Sequence, residues 1–145
     1  RSTLFPYTTL FRSPYSSPVN PDMLSLQVYK ILHLAALFLA FATLGGLALT
    51  VANGATKETS RVRRMIGVAH GVAMFLVLLG GFGLLARLGL TSGFPLWVWA
   101  KIAIWVLVAG LLALPYRKPE LAKPLFWLLP VIGGVAAWFA IYKPM

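Results

Sequence analysis

Two histidines and one lysine stand where such side chains are costly. His33 lies in "YKILHLAALFLAF", His70 in "AHGVAMFLVLLGGFGLL" and Lys101 in "WVWAKIAIWVLVAGLLAL". An ionisable group inside a long apolar run needs a partner or a task, so each is a candidate site. Imidazole nitrogens ligate haem iron and copper. Met74 lies one turn beyond His70 and shares its face, placing a soft thioether beside an imidazole, as copper prefers. Lys30 precedes His33 by one turn on the same face. Lys30, His33, Arg87 and Lys101 together could form a basic pocket for an anionic headgroup or a small anion. Plainer readings compete with each of these. Neutral histidines hydrogen-bond across helix contacts, and methionines fill space. A lysine between Trp97 and Trp105 can reach outward while its stem packs. The plainer readings are favoured. No residue is assigned a catalytic role, and an enzyme is not the expected class. The apolar runs hold no Asp or Glu and the chain has no Cys, so carboxylate relays and thiolate chemistry lack their residues.

The elements that must position these groups are the apolar runs themselves. Ile31–Ala52, Met65–Ala86, Pro95–Leu114 and Pro124–Tyr142 hold 22, 22, 20 and 19 residues. Each is near the ~20 residues that cross ~30 Å of hydrocarbon. Hydrophobic residues make up 59% of the chain and charged residues 11%, well under the roughly 25% of soluble proteins. Helices of a soluble bundle would show polar faces, and these runs are apolar all round. The expected fold is all-α: an integral-membrane four-helix bundle in a lipid bilayer.

Charge sets the expected orientation. Thirteen Lys and Arg oppose three acids, for a net charge of +10. The basic residues sit between apolar runs and not on one face, which argues against nucleic acid. Lys57, Arg61, Arg63 and Arg64 fall in the first connection, Arg87 in the second, and Arg117, Lys118 and Lys123 in the third. Basic connections favour the cytoplasm, so both termini are expected on the outer side. Trp97, Trp99 and Trp127 near run ends read as interfacial anchors. This topology puts His33 and His70 in opposite leaflets, roughly 15–20 Å apart along the normal. One haem bridged by both within a chain is therefore not expected; a five-coordinate haem, or one shared with another subunit, stays open. Gly67 and Gly71, four apart, line one face suited to helix packing. Pro130 lacks a donor inside the last run, so a kink is expected there.

The opening "RSTLFPYTTLFRS" has no unbroken apolar core of the kind a signal peptide needs. Thr3–Ser13 resembles the translation of a sequencing-library adapter. Residues 1–13 are therefore set aside as an assembly artefact, residues 1–22 as a non-native or disordered leader, and Met23 is expected to be the native start. Residues 23–145 form one expected transmembrane domain.

From about Val28 to Pro144 the chain resembles the SirB-type small bacterial membrane proteins. The resemblance rests on Lys30-x-x-His33 in the first run, His70 early in the second, and Trp97-x-x-x-Lys101 opening the third. A more distant likeness is to the membrane core of copper-resistance D proteins. The SirB-type second span pairs its His with a nearby Asp, and "AHGVAM" has none. The resemblance implies a four-helix bacterial inner-membrane protein and implies little chemistry. The expected function is an accessory or structural membrane subunit acting through helix contacts, with a membrane-protein partner or a second copy. The alternatives are copper or small-ion handling, and a haem- or quinone-associated electron-transfer subunit. No cofactor is favoured.

Overall fold

The structure is a computed structural model that describes residues 21–90 and 93–142. The expectations for residues 1–20 and for the last three residues lie outside the described residues. Among the described residues five α-helices follow one another: α1 Pro21–Ala52, α2 Arg63–Arg87, α3 Leu96–Leu111, α4 Leu114–Arg117 and α5 Ala122–Tyr142. A 3₁₀ turn, Pro119–Leu121, leads into α5. No strand occurs among the described residues.

Long runs of Leu, Ala and Met favour helix, and two glycines stop it. Gly54 has φ +90° just beyond α1, and Gly89 has φ +71° just beyond α2. At the first, the Gly54 amide donates to the Val51 carbonyl and the Ala55 amide to Thr50. At the second, Gly89 donates to Ala86 and Leu90 to Leu85. Both are left-handed caps that satisfy the last carbonyls, and a Cβ at either glycine would be strained.

Helices α1, α2 and α5 have 32, 25 and 21 residues, or about 48, 38 and 32 Å. These three are long and apolar enough to cross a membrane. The third run differs from expectation. Instead of one span over 95–114, α3 has 16 residues, about 24 Å, and the ladder breaks at Leu112–Ala113. Pro115 is the cause: it has no N–H to donate back to Leu111. The backbone stays right-handed through the break, with φ −59° at Leu112 and φ −82° at Ala113, and α4 carries the chain on. At Pro130, by contrast, α5 runs on to Tyr142 without interruption.

Helix α1 is the hub. Its Ala40, Leu44 and Ala48 are fully buried against Ala73 and Met74 of α2, Val108 of α3, and Leu125, Leu129 and Ile132 of α5. A second cluster, Leu47, Val51, Ile66 and Ala122, closes the end nearer the basic connections. Helices α1 and α2 form an antiparallel hairpin. His33 meets Gly80, and Thr43 meets His70. Ten residues along α1 thus match ten along α2, so the two helices run side by side without slipping.

Glycine does mediate the hairpin, but not at the expected pair. A Cβ on Gly67 or Gly71 would meet nothing within 4 Å. The contact glycines are Gly80, whose Cβ would stand 2.9 Å from the His33 Cβ, and Gly83, against which the Tyr29 ring lies. The small-residue pair four apart stands one residue past Ile66 and His70, ~100° around α2 from the buried face, so it does not meet α1.

Candidate functional site

His33 is fixed by the helix it touches. Its Nδ1–H donates to the Val77 carbonyl at 2.8 Å. A carbonyl only accepts, so Nδ1 carries the proton and Nε2 keeps the lone pair. Gly80 and Gly81 leave the space that lets the ring lie on α2; a Cβ at Gly81 would stand 3.4 Å from the ring Cε1. Lys101 lies in the first half of α3 and is half-buried. The Lys101 ammonium stands 4.8 Å from the centre of the Trp97 ring, one turn back toward the start of α3, a cation–π arrangement. Lys30 is exposed on α1 and Arg87 is exposed at the end of α2, at this same end of the hairpin. The four residues grouped from the sequence therefore share one end of the fold, with His33 and Lys101 the inner pair.

His70 occupies a different layer. The Thr43 hydroxyl donates to the Ala40 carbonyl at 2.8 Å, which leaves its oxygen to accept from His70 Nδ1 at 3.0 Å. His70 is 2% exposed, and its Nε2 is buried without a hydrogen-bond partner. The carbonyls of Ala40 and Val108 border the ring. Met74, one turn on, is buried in the same core. Its backbone carbonyl accepts the Trp105 indole N–H at 2.9 Å, which ties α3 to α2.

The two histidines are not brought together. Thr43 and Gly80 mark their levels, ten helical residues apart on either helix, about 15 Å. Each imidazole is committed to its own α1–α2 contact, and one haem plane does not reach both. No group of three His, Cys, Asp or Glu side chains that could hold a metal occurs among the described residues.

The tryptophans divide by position. Trp99 and Trp127 are exposed, at 57% and 75%, while Trp97 is half-buried beneath Lys101. Sequence reasoning missed three parts of the site. Thr43 was one apolar-run threonine among several, Trp105 was only a flank for Lys101, and the Val77 carbonyl carries no side-chain signal. The available signal was the count along the hairpin: a tight antiparallel pair must place Thr43 opposite His70 once His33 is opposite Gly80.

No family model, no curated protein and no solved structure matches this chain.

Proposed function

We propose that this chain is a small four-span protein of the bacterial inner membrane, with both termini outside, that serves as an accessory or structural subunit through helix contacts. One observation carries the reading: apolar surface faces outward and polar groups bond inward. Phe38 and Phe75 are exposed at 74% and 64%, and Trp127 and Ile141 at 75% and 74%. Soluble monomers rarely expose contiguous apolar surface on this scale, whereas lipid covers it without penalty. Inside, His33, His70, Thr43 and Trp105 all bond to neighbouring helices or to their own backbone. The basic residues gather in the Lys57–Arg64 and Arg117–Lys123 connections, which suits a cytoplasmic side. The third crossing would be α3 continued through α4. The Lys30-x-x-His33 and Trp97-x-x-x-Lys101 resemblance to SirB-type proteins agrees with this reading.

The test is alkaline extraction followed by cysteine labelling. The chain has no Cys, so Thr59→Cys and Leu88→Cys, both at exposed positions, give single reporters. The protein should stay with the membrane, Leu88→Cys should react from outside, and Thr59→Cys should react only after permeabilisation. Release into the aqueous fraction sinks the proposal, and the opposite labelling sinks its orientation. Co-purification in mild detergent then identifies the partner.

A second reading has one observation in its favour, the buried and unpartnered His70 Nε2 beside Met74. It is a haem- or copper-handling role. A full absorption spectrum and metal content of the protein purified from membranes test it, and His70→Ala should abolish any signal found.

A further inference from the structure

At the basic end of the bundle the start of α2 and the end of α3 do not close on each other. A groove of about 360 Å³ lies between the start of α2 and the end of α3. Leu47, Ile66, Ala109 and Leu112 supply apolar walls, and Lys57 and Arg63 stand at its rim. Gly67 and Gly110 also line it, and a Cβ on either would meet nothing within 4 Å. A second concavity, about 520 Å³, adjoins the first through Lys57, Arg63 and Gly67, and adds Arg61 and Arg64. The volumes fall within the roughly 300–1,000 Å³ of small-molecule sites.

We propose that this double concavity binds one anionic glycerophospholipid, an acyl chain in the apolar groove and the phosphate among Lys57, Arg61, Arg63 and Arg64. The proposal rests on the membrane reading above. Charge complementarity selects the occupant. Four cations line the mouth against one carboxylate, Glu58. That carboxylate already accepts the Thr56 hydroxyl at 2.9 Å. Arg63 also donates to the Lys57 carbonyl at 3.3 Å, which fixes the connection over the groove and brings both cations to one rim. Guanidinium groups match phosphate oxygens in a bidentate fork. Basic recesses between membrane helices on the cytoplasmic side hold anionic headgroups by this chemistry.

The experiment reconstitutes the full chain into vesicles of phosphatidylglycerol and phosphatidylcholine with identical acyl chains. Retained lipids are then counted by native mass spectrometry after release into mild detergent. The wild-type protein should retain one phosphatidylglycerol in preference to phosphatidylcholine. The Lys57→Gln/Arg63→Gln variant should lower that preference roughly thirtyfold, from two surface charges near anionic lipid. Gly67→Leu fills the groove with every charge in place and should lose the lipid too, whereas Arg117→Gln/Lys118→Gln should keep it. Equal retention of the two lipids by the wild type overturns the proposal. Unchanged retention in Lys57→Gln/Arg63→Gln or in Gly67→Leu does the same. So does retention of glycerophosphoglycerol, the headgroup without chains, as strongly as the lipid. Alkaline extraction of the same vesicles separates the two ideas: a chain that stays in the membrane without lipid preference sinks only the site, and a chain that leaves sinks the membrane reading itself.

Discussion

The two ends of α2 handle glycine in opposite ways. Near its end, Gly80 and Gly83 are filled by the backbone and ring of the α1 residues His33 and Tyr29. Near its start, Gly67 and Gly71 face open space. The sequence "GGFG" and the sequence "GVAHG" look equally suited to close packing. What decides is the face: Gly80 lies on the buried side of α2, whereas Gly67 and Gly71 stand ~100° around from Ile66 and His70. Were the hairpin in lipid, as proposed, no hydrophobic drive would pull its helices together, and such close van der Waals fits would hold it. The unfilled glycines instead leave room, and in the case of Gly67 that room is a groove.

The contrast is sharpest under enlargement. Gly80→Leu should destabilise the protein by about 3 kcal/mol or abolish folding, because its Cβ would run into the Cβ and backbone of His33, which cannot step aside. Gly71→Leu should change stability by less than about 0.5 kcal/mol. Unfolding titrations in detergent compare the two, and equal effects would erase the distinction between the ends.

The His70 layer comes next. Thr43→Val removes the acceptor for His70 Nδ1–H and should cost about 1–2 kcal/mol. His70→Leu in that background should recover part of the loss, since both polar partners are then gone. A double variant worse than Thr43→Val alone would mean that His70 does something beyond this bond. Trp105→Phe should cost about 0.6–1.7 kcal/mol, the range for hydrogen bonds between membrane helices. The loss should appear as faster amide exchange in α3, with α1 and α2 unaffected.

The smallest effect belongs to the exposed connection. The Thr56 hydroxyl holds the Glu58 carboxyl below its ordinary range, aided by the Glu58 amide and the charges of Lys57 and Arg63. A lowered folded value means that the contribution is present above the ordinary glutamate range, near ~4.3, and is lost as pH falls through the lowered value. Protection of the Thr56–Thr59 amides, corrected for the intrinsic pH dependence of exchange, should be steady at neutral pH and fall in acid, with no change in the helices.

Helix existence was legible in the sequence because runs of about 20 apolar residues leave few alternatives. The third run shows the limit. Its composition read as one span through Leu114, and Pro115, just past the predicted end, shortened the ladder from outside. Side-chain candidates were legible singly: His33, His70 and Lys101 each stand out against apolar neighbours. Their grouping was legible only in part. Lys101 near His33 followed from the order of antiparallel helices, but Thr43 beneath His70 depends on hairpin register, and the Val77 carbonyl is invisible to any reading of side chains. The groove beside Gly67 was hidden for the same reason, since a sequence marks where bulk is absent and not what stands opposite.

The matched spacing of α1 and α2 sets which length changes the gene can tolerate. One residue inserted between His33 and Thr43 would rotate everything beyond it by ~100°. Either the tyrosine–glycine end or the imidazole–hydroxyl layer would then lose its mate. Extra residues between Asn53 and Val62 would leave both matings intact. Length variation among any natural variants of this hairpin should therefore collect in the bend and spare the rods.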